Sequence, residues 1–238
     1  MPPSPAAAPT LAALLERPDI WRGGALAAAT QHGTPTGFAD LDAELPGGGW
    51  PGSAMTELLS ARTGVGELAL LLPVLAHVSG DERAWLVCVA PPYSLHAPAL
   101  EAGGVALSRL LVANASGRDA AWACERALDT GSVGAVVAWL PEAGPAVLRR
   151  LQLAAEASRS LFFVFRPSTC SAQSSPAPLR LLLEGEGASL RVRLLKRRGG
   201  VQTTPLSLSI PRPVTRHALA RPSSAAPAAR SLPRLHPA

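Results

Sequence analysis

The sequence predicts an α/β fold with a mainly parallel sheet flanked by helices. Three apolar runs, at residues 84–90, 133–140 and 161–165, alternate with segments of helical periodicity. Strands that are apolar throughout are typical of parallel sheets whose two faces are both covered. Of the 238 residues, 47% are hydrophobic, which is enough to fill the core of one ordinary domain and leave flexible ends.

The remaining elements follow in chain order. A first strand is predicted over residues 54–59, and a helix begins near Leu68 after a glycine-containing loop. A short strand at residues 110–113 and helices at residues 117–128 and 144–158 continue the alternation. A Ser/Pro-rich loop at residues 168–178 then leads to three strand-like runs, at residues 179–183, 189–195 and 206–210, which predict an antiparallel meander at one edge of the sheet.

Three regions are predicted along the chain. Residues 1–33 form a flexible N-terminal segment, residues 34–210 the core domain, and residues 211–238 a disordered basic tail rich in Pro, Ala and Arg. The N-terminus lacks the pattern of a signal peptide, and the apolar run at residues 68–78 is too short to cross a bilayer. We therefore expect a cytoplasmic protein without membrane contact. Three cysteines without a CxxC spacing predict buried free thiols.

The net charge of +5 is unevenly distributed along the chain. Residues 1–186 carry 12 arginines against all 17 acidic residues, whereas residues 187–238 carry nine arginines and Lys196 with no acidic residue. A basic C-terminal part favours nucleic acid or an acidic protein surface as a partner. A compositional bias towards Arg, Ala and Pro explains the same counts without any partner.

Residues 60–67 have the shape of a phosphate-binding loop between a strand and a helix. A working loop of this type wraps phosphates in backbone N–H groups, supplies a Lys to the β- and γ-phosphates, and holds Mg²⁺ with a Ser or Thr. Here the Lys position holds Gly66 or Glu67, depending on register, and the only lysine of the chain is Lys196. Gly64, Gly66 and Glu67 therefore predict a degenerate loop in which a carboxylate repels a triphosphate.

The motifs around this loop resemble the entry to a RecA-like ATPase core. They are Thr36-Gly37, Leu41-Asp42, Gly48-Gly49, Pro51 and Glu57. Within that superfamily the chain resembles the ImuA family of SulA/RecA-like proteins from the bacterial mutagenesis cassette. The segments that carry this closer resemblance are residues 47–51, 64–68, 70–73 and 196–200, and the whole resemblance extends over about residues 34–210.

The resemblance implies a RecA-like sheet and a role in the SOS response to DNA damage. The main function that it implies is a non-catalytic accessory factor of translesion DNA synthesis, acting with an ImuB-like polymerase-related protein and an error-prone polymerase. A RecA-type recombinase and single-stranded DNA are further candidate partners. The same fold leaves two other functions open: a SulA-type inhibitor that blocks cell division by binding a tubulin-like protein, and a DNA-stimulated RecA-like ATPase.

The ATPase function is the least favoured of the three. A RecA-like ATPase needs an acid after a buried strand to hold Mg²⁺, and a catalytic Glu after the second strand. The first position falls at Ala138, and no acid follows the second strand before Glu101. Together with the missing Lys, these losses predict a protein that is not an enzyme and has no catalytic residue or cofactor. The scattered histidines predict no metal site.

Six basic residues are candidates for contact with DNA or a protein partner: Arg166, Arg191, Arg193, Lys196, Arg197 and Arg198. In RecA-like recombinases a nucleotide-sensing Gln and a DNA-binding loop follow the strand that matches residues 161–165, and here those positions hold Arg166 and a Ser-rich loop. Arg and hydroxyl side chains can contact phosphates without reading bases. The alternatives are a solvent-exposed loop without a ligand and, for the C-terminal cluster, a solvated edge strand protected by its charges.

Overall fold

One mixed sheet organises the computed structural model, which describes residues 33–82, 84–187, 189–198 and 204–210. Its strands in these segments are β1 Ala54–Ser60, β2 Trp85–Val89, β3 Leu110–Ala113, β4 Val133–Trp139, β5 Leu161–Pro167, β6 Leu179–Glu186, β7 Ser189–Lys196 and β8 Leu206–Ser209. Their order across the sheet is β3-β2-β4-β5-β1-β6-β7-β8. Neighbouring strands from β3 to β6 are parallel, whereas the β6–β7 and β7–β8 pairs are antiparallel. The predicted α/β sheet, mainly parallel with antiparallel C-terminal strands, is confirmed.

Helices cover both faces of the sheet in the described segments. They are α1 Ala39–Glu44, α2 Glu67–Ser79, α3 Ala97–Ala102, α4 Gly117–Asp129 and α5 Pro145–Ala157, with short 3₁₀ turns at Leu107–Arg109 and Ser168–Cys170. The sequence predicted both ends of α4 and α5 and the start of α2 to within one residue. Helices α1 and α3 and both 3₁₀ turns were missed, because six and three residues are too few to show helical periodicity.

The core lies in two layers, one on each face of the sheet. Helix α2 packs on one face, where Leu71 joins Leu58, Trp50 and Phe163, and the rings of Trp50 and Phe163 meet edge-on with centroids 5.2 Å apart. Helices α4 and α5 pack on the other face, where their buried residues contact strand residues such as Phe162. Strands β1, β4 and β5 are therefore buried on both faces, which explains their nearly continuous apolar sequences.

The three cysteines are buried and unpaired, as predicted. Burial raises the pKa of both Cys88 and Cys124 to about 12 from the ordinary value of 9.0. Both thiols therefore stay protonated at neutral pH and take part in packing rather than in chemistry.

Within the described segments, every helix is too short or too polar to cross a lipid bilayer. No group of three or more His, Cys, Asp or Glu side chains in those segments is arranged to hold a metal ion. Residues 1–32 and 211–238 lie outside the described residues. The flexible N-terminal segment and the disordered tail therefore stay predictions, and so does the RecA-like kinship of the sheet.

Candidate functional site

The carboxyl ends of the parallel strands open into a cavity of about 900 Å³. In open α/β sheets, ligands generally bind in this position, beyond the carboxyl ends of the strands. Trp139, Leu140 and Phe165 lie at the floor of the cavity and are almost fully buried. The rings of Trp139 and Phe165 stack with centroids 5.1 Å apart and an interplanar angle of 26°, so the floor is largely aromatic.

Two long helices begin at the mouth of this cavity. Ser116 and Gly144 are the N-caps of α4 and α5, and neither helix start has a side-chain capping hydrogen bond. The first turn of a helix carries N–H groups without intrahelical partners and a partial positive charge. Residues from both starts line the cavity, so its mouth favours negatively charged groups.

The backbone N–H groups of the loop after β1 bind a carboxylate of the same chain. Glu67 Oε1 accepts a hydrogen bond from the Gly64 N–H at 2.8 Å, and Oε2 accepts one from the Gly66 N–H at 3.1 Å. Both glycines have positive φ, +81° and +106°, a geometry in which successive N–H groups converge on an anion. The Glu67 carboxylate thus takes the position where the backbone of a working loop receives phosphate.

The three positions singled out as a degenerate loop, Gly64, Gly66 and Glu67, are brought together by this geometry. Sequence reasoning expected Glu67 to act through repulsion of a triphosphate, whereas its carboxylate occupies two of the loop's hydrogen-bond donors. Ala138, where the resemblance to RecA-like ATPases would require an acid, is fully buried near the end of β4. Glu67 and Glu142 are the carboxylates that line the described cavity, and Glu67 is already engaged.

Arg166 lies in a buried ion-pair cluster on three adjacent strands. Its Nη1 donates to Glu57 Oε1 at 2.6 Å, and Arg180 Nε donates to Glu57 Oε2 at 2.5 Å. The Glu57 side chain is fully buried, and the arginine side chains are only 4% and 7% exposed. Leaving Glu57 alone in this position would cost several kcal/mol, and so would leaving either arginine alone, because each is a desolvated charge.

This cluster also fixes two loops at the sheet edge. Arg180 donates to the backbone carbonyl oxygens of Cys170, Ser171 and Gln173, and Arg166 donates to that of Ala143. Arg166 lies near the end of β5 and Arg180 near the start of β6, so the two arginines flank the Ser-rich loop from within the sheet. Contact of Arg166 with DNA or a partner stays a prediction, and its burial leaves little of the guanidinium accessible.

The C-terminal basic residues form two groups: two arginines on β7 that face solvent, and residues at the end of β7 that are bound to other parts of the protein. Arg191 and Arg193 alternate with buried residues on β7 and are exposed, and Arg191 pairs with Glu186 at 2.7 Å. Lys196 Nζ donates to the Ser175 carbonyl oxygen at 2.9 Å. Contact of Arg191, Arg193 and Lys196 with DNA or a protein partner stays a prediction.

The last two members of the cluster follow β7. Arg197 Nη1 donates to the Glu44 carbonyl oxygen and, at 2.9 Å, to its carboxylate. Arg198 is exposed and borders a recess of about 30 Å³. Because β7 runs antiparallel to β6, Lys196 lies opposite Arg180 near the start of β6. Lys196, Arg197 and Arg198 therefore lie near the amino ends of the parallel strands, whereas the cavity lies at their carboxyl ends.

Sequence reasoning did not single out three arginines that line the cavity, and it did not predict the buried ion pairs of Glu57. Arg62 and Arg118 are exposed at the cavity and form no ion pair or side-chain hydrogen bond within the described segments. Arg150 also lines the cavity and pairs with Glu125 at 2.6 Å. A lone Glu in the apolar β1 strand was the one visible signal for the buried cluster, since such a carboxylate requires a buried partner.

Comparison with known proteins places this region in a family. Residues 56–161 match the family model described as "Cell division inhibitor SulA". The cell division inhibitor SulA of Photorhabdus laumondii is 36% identical over 112 residues, which are 47% of this chain and 63% of that protein. SulA of Yersinia enterocolitica is 31% identical over 114 residues, which are 48% of this chain and 67% of that protein.

The crystal structure of SulA from Pseudomonas aeruginosa is 30% identical to this chain, with a TM-score of 0.40, and the match covers 48% of this chain and 97% of that one. This chain spans 63% and 60% of the lengths of the Photorhabdus laumondii and Edwardsiella piscicida proteins. The matched stretch, residues 56–161, includes both unpaired arginines of the cavity and the loop with Glu67.

These matches correct the function that the sequence favoured. The family model and the relatives are named as cell division inhibitors, so the predicted accessory role in translesion DNA synthesis is wrong. The ImuB-like protein and the error-prone polymerase lose their support as partners with it. The narrower resemblance to the ImuA family stays a prediction, whereas the broader SulA-like kinship is supported.

Proposed function

Because the chain belongs to the SulA family, we propose that it inhibits cell division in the SOS response by binding a tubulin-like division protein. The observation that carries this proposal is the family match over residues 56–161, since that stretch runs from β1 to the start of β5 and includes most of the cavity. The relatives in the same stretch are named for this activity. Such an inhibitor would act in the cytoplasm, where division proteins assemble.

A binding function fits the chemistry of the cavity better than catalysis. Two amides of the loop after β1 hold Glu67, and the buried end of β4 offers Ala138 where phosphoryl transfer needs a carboxylate. We propose that the sheet is RecA-like and has lost its nucleotide chemistry, so that the inhibitor works by occupying a surface of its partner. A protein of this kind inhibits in proportion to the amount bound and needs no turnover.

Regulated expression of the full chain in a rod-shaped bacterium tests the proposal. We expect long filaments without septa and with regularly spaced nucleoids, because division stops while growth and replication continue. In parallel, the purified chain should bind the purified tubulin-like division protein of the same bacterium and reduce its assembly, as measured by sedimentation and light scattering.

The matched control is Phe163→Asp, which places a charge in the core beside Trp50 and should leave an unfolded chain at equal expression. Filaments that depend on the folded chain, together with direct binding, support the proposed function. Normal division at a high level of folded protein, with no binding to the division protein, would overturn it.

A further inference from the structure

The cavity combines an apolar floor with a polar rim. Its floor is the stacked pair Trp139 and Phe165, and its rim includes Arg62 and Arg118. A volume of about 900 Å³ is large enough for several side chains of a bound segment. An occupant that matches both parts carries an apolar group for the floor and a polar group for the rim.

The rim has positive charge that the protein does not neutralise itself. Arg150 and Arg166 are held by Glu125 and Glu57, but Arg62 and Arg118 have no such partner in the described segments. The starts of α4 and α5 add partial positive charge at the same place. Two carboxylates that line the cavity oppose these charges: the exposed Glu142 on the rim and the buried Glu67, which two loop amides hold. Arg62, Arg118 and the two helix starts leave positive charge in excess, because Arg166 and Arg180 also share the single carboxylate of Glu57.

The occupant of such a site is an anion, and the loop after β1 argues against a nucleotide. The N–H groups of Gly64 and Gly66 that would hold phosphate already hold the Glu67 carboxylate. Carboxylates remain as ligands, because an Arg guanidinium pairs with a carboxylate through two parallel hydrogen bonds. Residues 211–238 contain no acidic residue, so their charge does not suit them to this rim.

We propose that the cavity is the docking site for an acidic segment of the tubulin-like division protein. An apolar side chain of that segment packs on Trp139 and Phe165, and its carboxylates bind Arg62 and Arg118. Tyr93 is 73% exposed in the loop next to the cavity-lining Pro92 and extends the contact surface beyond the rim. This assignment rests on the proposed function and names the surface through which inhibition works.

A charge-reversal pair with a matched control tests the assignment on the full chain. Arg62→Glu with Arg118→Glu reverses the rim, whereas Arg149→Glu with Arg159→Glu makes the same change in net charge at exposed positions outside the cavity lining. We expect binding to the purified division protein to weaken at least about tenfold for the rim pair and less than about twofold for the control pair. The rim pair should also lose most of the salt dependence of binding.

Glu142→Lys provides a change of opposite sign. Because it removes the opposing charge on the rim, we expect binding to tighten by roughly threefold, with a larger effect at low salt. Thermal unfolding of all variants verifies that they are folded, and the positions are exposed enough for this to be expected. Binding is measured with and without millimolar ATP or GTP.

The outcomes separate the two proposals. If the unaltered chain does not bind the division protein, the proposed function fails and the docking site fails with it. If the unaltered chain binds and the rim and control pairs bind equally, only the docking site is overturned. Competition by ATP or GTP that the rim pair abolishes would assign the cavity to a nucleotide and overturn the acidic segment. Selective loss for the rim pair with tighter binding of Glu142→Lys, unaffected by nucleotide, supports the assignment.

Discussion

Several basic residues at the amino ends of the parallel strands are bound within the protein, whereas two arginines at the carboxyl ends are not. At the carboxyl ends of the parallel strands, Arg62 and Arg118 are exposed at a large cavity and are bound to no other side chain in the described segments. Near the amino ends, Lys196 and Arg197 are anchored to Ser175 and Glu44. Within the described part of the C-terminal cluster, Arg191, Lys196 and Arg197 are engaged, whereas Arg193 and Arg198 are exposed without such a bond. The five basic residues there therefore offer no more free cations than the two isolated arginines at the cavity do. Charge available to a partner depends on what remains after internal pairing, not on how densely charge occurs along the chain.

The largest effect is expected inside the sheet, where arginines are both buried and paired. Glu57→Gln leaves Arg166 and Arg180 without their counter-ion, so we expect the free energy of unfolding to fall by about 3–5 kcal/mol. Urea denaturation measures the change. The control Glu125→Gln removes the partner of the largely exposed Arg150 and should cost at most about 1 kcal/mol. Equal small losses for both variants would show that burial does not distinguish the two ion pairs.

A smaller effect is expected in the loop that bounds the cavity. Glu67→Gln replaces a carboxylate by an amide, which can accept only one of the two hydrogen bonds in the same geometry, and we expect a loss of about 1 kcal/mol. Amide hydrogen exchange at Gly64 and Gly66 should become faster, whereas Glu142→Gln should leave both rates unchanged. Unaltered exchange in Glu67→Gln would mean that the loop keeps its shape without the carboxylate.

Alanine substitutions test whether anchored and free basic residues at the two ends of the strands differ in their contribution to stability. Arg197→Ala removes the donor that holds the end of α1 and should lower the free energy of unfolding by about 1 kcal/mol. Arg62→Ala should change it by no more than about 0.5 kcal/mol, since no internal bond is lost. Thermal or urea denaturation of the two variants decides the matter, and equal costs would contradict the distinction between anchored and free cations.

The smallest effect concerns single-stranded DNA, which stays a predicted partner for the C-terminal cluster. We expect any such binding to be independent of sequence, and Arg198→Ala to lower the slope of log affinity against log salt by about 0.7. Arg197→Ala should lower it less, because its guanidinium is already paired with Glu44. Salt titrations on two unrelated oligonucleotides measure both slopes, and an unchanged slope for Arg198→Ala would remove it from any DNA surface.

The sheet was predictable because its central strands are buried on both faces. Runs such as residues 133–140 and 161–165 have no polar alternation, and that pattern alone indicates parallel strands between helices. The position where β5 ends could not be predicted from the apolar pattern. Its apolar run stops at Phe165, but the strand continues through Arg166 because Glu57 compensates the buried charge.

Side-chain pairing across strands could not be predicted from the sequence. Glu57 lies 109 and 123 positions from its two arginines, and only the strand order β5-β1-β6 brings them together. The contact between Glu67 and Gly64 spans three positions and was within reach, since a carboxylate at a helix start commonly binds nearby amides. The function was misjudged because the resemblance to the ImuA family, together with the basic C-terminal part, was taken to favour a role in translesion DNA synthesis over a division partner.

The carboxylate of Glu67 has a consequence for how such a protein would be controlled. A phosphate-type loop that is filled by its own side chain has the same shape whether ATP is plentiful or scarce. An inhibitor built in this way does not sense the energy state of the cell, and nothing in the loop has to be hydrolysed before its partner is released. Its effect then follows the number of copies present, so the start and end of inhibition are set by how quickly the chain is made and removed.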